Sequence, residues 1–183
     1  MGRLIYLTNI SLDGYIADRD GSFDFSAPSA EGHAFINDIV RATGTHLYGR
    51  RNYDVMTVWE TWGDDDPVTS DFAQMWRAAD KVVYSRTLAE PSTTRTRIER
   101  ELDPDAVRSL VDAAEQDVLV GGADLAGQAI RAGLVDDIHL FIAPVVIGGG
   151  TPALPDDVRL ELELVDTRRF DNGVVHVHHR VIR

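Results

Sequence analysis

The sequence VLVGGADLAGQAIRAG, residues 118–133, carries the clearest structural signal in the chain. Three apolar residues favour a buried strand, a glycine pair follows at once, and residues 123–132 favour a helix that Gly133 ends. A strand that passes through glycines directly into a helix is the unit of a parallel sheet covered by helices. This stretch therefore predicts an α/β fold.

The segments on either side continue the alternation of strands and helices. Strands are predicted over residues 4–12, 45–48, 81–84, 95–100 and 138–147, and helices after Ser29, over residues 72–79 and after Asp103. Residues 59–67 are typical of a surface loop, and the Asn172-Gly173 pair favours a tight turn between two alternating strands. The sequence thus predicts one domain, residues 1–183, with a mixed, mostly parallel sheet flanked by helices and a C-terminal antiparallel hairpin.

The composition excludes several classes of protein. The chain has 30 acidic and 18 basic residues and a formal charge of −12, which argues against a general nucleic-acid binder. It contains no cysteine, so a disulfide scaffold, a cysteine nucleophile and thiolate metal sites are excluded. No apolar run approaches the ~18 residues that span a bilayer, and the first residues do not read as a signal peptide. We therefore expect a cytoplasmic protein that binds neither nucleic acid nor a membrane.

Residues suited to bind phosphate follow three of the predicted strands. The sequence GRRN (49–52) follows the second strand, SRT (85–87) follows the third, and GGA (121–123) joins a strand to a helix. Paired glycines let the backbone approach a pyrophosphate at a helix N-terminus, and arginine binds a phosphate monoester. Together the three segments predict a site for NADPH. The glycine patterns of Rossmann dinucleotide-binding domains and of P-loop NTPases do not occur in the sequence.

A histidine cluster near the end of the chain also invites a metal-site interpretation. On a strand His176 and His178 share one face and His179 points to the other, so only two ligands converge. No carboxylate completes a site by its spacing along the sequence. We therefore predict no metal.

Five segments in this order resemble the dihydrofolate-reductase-like superfamily: LTNISLDGYIAD (7–18), YGRRNY (48–53), VVYSRTL (82–88), VLVGGA (118–123) and APVVIGGG (143–150). Within that superfamily, the chain looks most like stand-alone relatives of the reductase domain of bacterial riboflavin biosynthesis. The resemblance implies a three-layer α/β fold. It also implies that the following residues bind the cofactor NADPH: Thr8, Asn9, Ile16, Ala17, Gly49, Arg50, Arg51, Ser85, Arg86, Gly121, Gly122, Ala123, Asp124 and Leu125.

The function implied by the resemblance is an NADPH-dependent reductase that transfers a hydride to a small heterocycle, pteridine-like or ribosylaminopyrimidine-like. Such a reaction needs one proton donor, for which Glu31 and Asp13 are candidates. Glu31 also fits an ordinary first-turn glutamate, and Asp13 fits a turn residue. Phe35, Trp59 and Trp62 are candidates to stack on the substrate, with core packing as the alternative role.

Two further interpretations remain open. The same fold could serve as a non-catalytic module that binds NADP(H), or the basic strand ends could bind a phosphorylated sugar. Relatives of this kind commonly pair through the sheet edge, and the C-terminal hairpin supplies an edge strand that needs covering, so we expect a homodimer.

Overall fold

The computed structural model describes residues 2–63 and 65–183. The strands are β1 (Leu4–Ser11), β2 (Tyr15–Ala17), β3 (Thr43–Gly49), β4 (Asp80–Tyr84), β5 (Thr96–Glu99), β6 (Asp117–Gly121), β7 (Asp137–Ala143), β8 (Thr151–Pro152), β9 (Glu161–Arg169) and β10 (Val175–Ile182). The α-helices are α1 (Ala30–Val40), α2 (Arg50–Met56), α3 (Val58–Thr61), α4 (Pro67–Ala78), α5 (Pro104–Ala113) and α6 (Ala123–Arg131), and a short 3-10 helix covers Asp24–Ser26.

Eight strands form one mixed sheet in the order β5-β4-β3-β6-β1-β7-β10-β9. The first six of these strands run parallel, whereas β10 pairs antiparallel with both β7 and β9. The predicted α/β fold with a C-terminal antiparallel hairpin is confirmed. Because parallel strands end at the same edge, the residues that follow β3, β4, β5 and β6 lie side by side.

Two apolar cores pack on opposite faces of the sheet. On one face Leu4 and Tyr6 of β1 pack with residues of α5 and α6. On the other, Leu7 packs with residues of α1, α2 and α4. The alternation along β1 is the period of two that a strand imposes, so the sheet forms the middle of three layers. No helix in residues 2–63 and 65–183 is long and apolar enough to span a bilayer.

Three sequence predictions about element boundaries are wrong. The helix predicted over residues 72–79 begins five residues earlier, at Pro67, because the Asp66 side chain caps it by accepting from the N–H groups of Val68 and Thr69. The strand predicted over residues 138–147 ends at Ala143, because Pro144 follows and has no backbone N–H to donate to a ladder. The surface loop predicted over residues 59–67 contains the short helix α3, whose Trp59 packs at 4.7 Å between ring centroids against Phe72 of α4. The packing of Trp59 against Phe72 stabilises this helix, although the acidic sequence after it favours a loop. Asp64, in the same segment, lies outside the described residues.

The chain's only lysine is buried. Lys81, at the start of β4, is 1% exposed, and its Nζ donates to the carbonyl oxygens of Trp76 and Ala79 at 3.0 and 2.9 Å. Both carbonyls lie at the C-terminal end of α4, where helix carbonyls lack partners and a cation is stabilised by the helix dipole. The ammonium also lies 4.4 Å from the Trp76 ring centroid. Lys81 therefore caps the C-terminal end of α4 and links this helix to β4.

Three buried histidines make the stability of the fold dependent on pH. His46 contacts Thr43 Oγ1 and the Tyr48 hydroxyl, and His139 Nδ1 lies 3.0 Å from His176 Nε2. Burial lowers the pKa of His46 and His139 to about 3 and that of His176 to about 4. These imidazoles are neutral in the folded chain at pH values where the unfolded chain, with a histidine pKa near 6.5, binds protons.

We therefore expect the free energy of unfolding to be greatest above pH 6.5 and to fall as the pH drops towards 5. Each buried histidine contributes a slope of up to about 1.4 kcal/mol per pH unit, because the unfolded state binds the additional proton. Urea unfolding between pH 7.5 and 5 measures this, in a range above that in which most carboxylates titrate. A free energy of unfolding that does not change across this range would contradict the assignment.

Candidate functional site

Asn52 of α2 and Tyr48 of β3 pack closely against the backbone at the end of β6, where the chain has two glycines. A Cβ atom at Gly121 would lie 2.6 Å from Asn52 Oδ1 and 3.0 Å from the Tyr48 ring. Gly122 has φ of 91°, a conformation that side-chain-bearing residues rarely adopt, and a Cβ there would lie 3.1 Å from Asn52 Cβ. The glycine pair thus lets Asn52 and the Tyr48 ring pack directly against the backbone, where a side chain would otherwise stand.

Helix α6 begins directly behind these glycines without a side-chain cap. Gly122 is its N-cap residue and provides no side-chain acceptor, so the first-turn N–H groups, including those of Ala123, Asp124 and Leu125, have no intrahelical partner. The first hydrogen bond of the helix is that from the Ala126 N–H to the Gly122 carbonyl. Unpartnered N–H groups and the positive end of the helix dipole favour an anion here. The three predicted cofactor residues Ala123, Asp124 and Leu125 therefore form the uncapped first turn of this helix.

The arginines predicted to bind phosphate differ in whether a carboxylate already pairs with them. Arg50 donates through Nε to both oxygens of Asp54 at 2.9 Å, so a carboxylate already offsets its charge. Arg51 and Arg86 are exposed and form no ion pair with any residue that the structure describes. The guanidinium groups of Arg51 and Arg86 therefore keep donors for a ligand, whereas that of Arg50 is already paired. Gly49 lies beside them as the N-cap of α2.

The loop after β4 is shaped by hydrogen bonds around Ser85. Its buried Oγ accepts from the N–H groups of Thr87 and Leu88 at 3.3 and 3.0 Å, which leaves the hydroxyl proton able to donate to a ligand. Arg100, directly after β5, donates through Nη1 to the carbonyls of Ser85 and Leu88 at 3.1 and 2.8 Å. Sequence reasoning missed Arg100 and considered Asn52 only within the segment 49–52. The available signal was that Arg100 is the last residue of the strand predicted over residues 95–100, which ends at Glu99 in the structure.

The predicted residues of β1 and β2 border the same edge of the sheet. Asn9 Nδ2 donates to the Ser26 carbonyl at 3.2 Å, while its Oδ1 is buried and has no partner among residues 2–63 and 65–183. Thr8 contacts the Asn9 carbonyl through its hydroxyl at 3.3 Å. Ile16 and Ala17 belong to β2, where Ala17 pairs with Thr151 of β8. Asn9 lies opposite Phe141 of β7, and its amide oxygen is the part of this side chain that the fold leaves without a donor among the described residues.

The two predicted proton donors are both engaged in contacts within the protein. Asp13 accepts from the N–H groups of Ile147 and Gly148 at 3.2 and 2.8 Å, and hydrogen bonds, first among them one from Ser11, lower its pKa. A carboxylate held ionised in this way is poorly suited to donate a proton and instead orders the loop at residues 147–150. Glu31 is 41% exposed, 2.8 Å from Arg168 Nη2 of β9, and accepts from the Asp171 N–H at 3.3 Å. These contacts draw Glu31 towards the C-terminal hairpin.

The predicted substrate-stacking residues divide into two groups. Phe35 packs against Phe141, Phe170 and His176, with ring centroids 4.9–6.2 Å apart, which is core packing. Trp59 and Trp62 contact each other at 4.9 Å and are only half-buried. The Trp62 indole N–H has no partner within the described part of the chain. The structure thus brings the two tryptophans into contact, while the ring contacts of Phe35 are with Phe141, Phe170 and His176.

The histidine cluster includes a residue that the spacing along the sequence did not indicate. His139 of β7 stacks on His178 at 4.0 Å and on His176 at 5.2 Å, and His178 Nε2 lies 2.7 Å from Asp137 Oδ1. The ring nitrogens contact one another and Asp137 instead of converging on a common point. In residues 2–63 and 65–183 no histidine and carboxylate cluster has a geometry that would hold a metal ion.

The sequence profile of the RibD C-terminal domain matches residues 3–176. This chain belongs to the RibD C-terminal domain family. One relative, the uncharacterised protein YyaP of Bacillus subtilis (strain 168), is 30% identical over 176 residues, covering 96% of this chain and 93% of YyaP. The family is therefore established by sequence over almost the whole chain.

Solved structures share the fold of the RibD C-terminal domain with this chain. A pyrimidine reductase-like protein from Corynebacterium diphtheriae superposes with a TM-score of 0.73 at 15% identity, covering 100% of this chain and 92% of that protein. A diaminohydroxyphosphoribosylaminopyrimidine deaminase/5-amino-6-(5-phosphoribosylamino)uracil reductase from Thermotoga maritima superposes with a TM-score of 0.68 at 13% identity, covering 99% of this chain and 57% of that protein. At these identities the likeness shows the fold alone.

The crowding of Gly122 by Asn52 leads to a prediction about the stability of the fold. We expect Gly122→Ala to lower the free energy of unfolding by about 3 kcal/mol, because its backbone conformation is strained for alanine and the methyl group meets Asn52. Gly133→Ala is the matched control: Gly133 also has positive φ, 65°, but a Cβ there meets nothing within 4 Å. That change should cost about 1–2 kcal/mol, the backbone penalty alone. If both variants lose the same free energy of unfolding in urea, Asn52 does not crowd a side chain at residue 122.

Proposed function

We propose that this chain is an NADPH-dependent reductase that transfers a hydride to a small heterocycle, pteridine-like or ribosylaminopyrimidine-like. The observation that carries the proposal is the start of α6, directly after the glycine pair, where no side chain caps the helix. Arg51 and Arg86, which form no ion pair among the described residues, follow neighbouring strands at the same edge of the sheet. The names of the Corynebacterium and Thermotoga proteins, a pyrimidine reductase-like protein and a phosphoribosylaminouracil reductase, favour a pyrimidine as the acceptor. A cytoplasmic location remains a prediction.

The order of the strands gives the dinucleotide a direction across the site. Arginine residues follow β4 and β3, the glycine pair follows β6, and the unpartnered amide oxygen of Asn9 lies on β1. With about 4.8 Å between neighbouring strands, the path from β4 to β1 covers about 14 Å. We therefore place the adenosine phosphates at β3 and β4, the pyrophosphate at Gly122 and the nicotinamide beside Asn9. The bound cofactor would supply the hydride, and the chain's own residues orient it.

The test is a titration with NADPH and, separately, with NADH, followed by nicotinamide fluorescence. We expect a Kd for NADPH well below that for NADH, and Arg86→Leu should remove much of the difference, since a charge-assisted hydrogen bond contributes about 1.5–3 kcal/mol. The control is Arg159→Leu, because Arg159 is 90% exposed and pairs with Glu161 away from the site. Absence of binding for both nucleotides would rule out the reductase.

A second candidate function is a module that binds NADP(H) without turnover. The contacts of Glu31 with Arg168 and of Asp13 with the loop at 147–150 favour it, because both predicted proton donors hold structure together. Loss of NADPH absorbance in the presence of pterins or ribosylaminopyrimidines separates the two candidates. If Glu31 is the donor, Glu31→Gln should lower turnover by roughly 10²- to 10⁴-fold without changing the NADPH Kd, and Asp38→Asn on the same helix should not.

We also propose that the protein is a homodimer in which two copies of β9 pair. This edge strand is exposed along its whole length, and it presents Leu162, Leu164 and Val165 to solvent. Its charges are self-complementary: in an antiparallel pair centred on Val165, Glu161 lies opposite Arg169 of the second copy. An exposed apolar edge of this kind is otherwise a site of aggregation.

Light scattering should therefore give the mass of two chains. Val165→Lys should give the mass of one, because it places two like charges opposite each other at the two-fold axis. Val58→Lys is the control, since Val58 is exposed to a similar extent, 45% against 43%, but lies on α3. A monomeric wild-type chain at tens of micromolar would contradict the pairing.

A further inference from the structure

A chain of hydrogen bonds between buried side chains runs along β3, on the face that packs against α1 and α4. The Trp76 indole N–H of α4 donates to the Tyr48 hydroxyl at 3.1 Å, and this hydroxyl lies 3.0 Å from His46 Nδ1. His46 Nε2 lies 2.9 Å from Thr43 Oγ1, which donates to the Val40 carbonyl of α1 at 2.7 Å. All four polar side chains are buried. The chain thus joins two helices through one strand.

The two ends of the chain set the direction of every hydrogen bond in it. An indole N–H can only donate and a carbonyl oxygen can only accept. The Tyr48 oxygen accepts from Trp76, so the hydroxyl proton is left to be donated to His46 Nδ1. The Thr43 hydroxyl proton is donated to Val40, so Thr43 Oγ1 accepts from His46 Nε2. His46 is therefore a neutral imidazole that carries its proton on Nε2.

A register shift in β3 brings Thr43 into the chain. Side chains alternate along a strand, so Thr43 and His46, three residues apart, would ordinarily point to opposite faces. The pairing of β3 with β6 shifts register between Thr43 and Thr45, which places one extra residue in β3 and returns Thr43 to the face of His46. The hydrogen bond between these two side chains depends on this irregularity.

Tyr48 connects the chain to the glycine pair. It lies opposite Gly121 in the pairing of β3 with β6, and its ring atoms lie 3.0 Å from the place where a Cβ of Gly121 would stand. Gly122 follows directly and is the N-cap residue of α6. Because two hydrogen bonds hold the hydroxyl, they also restrict the orientation of the ring against which Gly121 packs.

We propose that this hydrogen-bonded chain positions the Tyr48 ring, and through it Gly121 and the start of α6, for dinucleotide binding. Tyr48 is a positioning residue in this arrangement, and it acts on the ligand only through the glycine backbone. The inference rests on the proposed function and deepens it, because it adds the buried residues that hold the binding turn in place. A merely structural chain would stabilise the fold without changing how tightly the site binds.

The experiment substitutes Thr43, which lies five residues along β3 from Tyr48, roughly 16 Å away, and cannot contact a ligand at the glycine pair. Thr43→Val keeps the shape of the side chain but removes the hydroxyl that accepts from His46, whereas Thr43→Ser keeps a hydroxyl. We expect Thr43→Val to raise the NADPH Kd by roughly 3- to 10-fold, as for a substitution within a coupled network, and Thr43→Ser to leave it unchanged.

The control is Ile36→Val, since Ile36 is buried in the same core but lies outside the chain. It should lower the stability of the fold, as measured by urea unfolding, and leave the NADPH Kd at the wild-type value. An NADPH Kd that is the same in Thr43→Val and in the wild type, or that rises equally in Ile36→Val, would overturn the proposal.

A second measurement needs no nucleotide. Heteronuclear NMR of the wild-type chain should show His46 with its proton on Nε2. In Thr43→Val this proton loses its acceptor, so we expect the amide signals of Gly121 and Gly122 to shift, whereas Thr43→Ser should keep them in place. Glycine signals that do not move in Thr43→Val would show that the chain has no influence on the turn, and the positioning role would be wrong.

The failure of this inference is distinguishable from the failure of the proposed function. A wild-type chain that binds neither NADPH nor NADH would contradict the proposed function, and the positioning role in dinucleotide binding with it. A wild-type chain that binds NADPH, with an equal Kd in Thr43→Val, would contradict only the positioning role.

Discussion

The contact between the ends of β3 and β6 constrains the site more than any other interaction in the molecule. Asn52, in the first turns of α2, packs where a side chain on residue 121 would lie. Glycine at 121 and 122 therefore allows two strands and two helices to meet at one point. Gly122 also offers no side chain that could cap α6, so the packing constraint and the uncapped first turn of this helix have one cause.

Much of the fold could be predicted because its signals are local. The strand, glycine pair and helix of residues 118–133 lie where periodicity placed them, and the predicted cap Asp103 accepts from the N–H groups of Asp105 and Ala106. The errors occur where a distant residue decides the outcome. Trp59 forms part of a helix because Phe72 packs on it, and His139 joins the histidine stack from a neighbouring strand. Neither contact can be inferred from the spacing of residues along the sequence.

The candidate phosphate-binding residues share one edge of the sheet, as the strand pattern predicted, but their individual contacts could not be predicted. Parallel strands bring their ends together, so the glycines and arginines had to share an edge. Which arginines remain free depends on neighbours: Asp54 lies one helical turn from Arg50 and pairs with it, whereas Arg100 is held by backbone carbonyls. The sequence likewise placed Glu31 at the start of a helix but could not show that Arg168, more than a hundred residues away, binds it.

The burial of Lys81 has a practical consequence for chemistry on this protein. The chain's remaining 17 basic residues are arginines, so the one lysine amine of the folded molecule is enclosed beneath the end of α4. Acylating reagents, aldehydes and enzymes that modify lysine side chains would reach no such amine on its surface. Labelling at Lys81 requires the junction between α4 and β4 to open, so its rate would report how often this part of the protein unfolds locally.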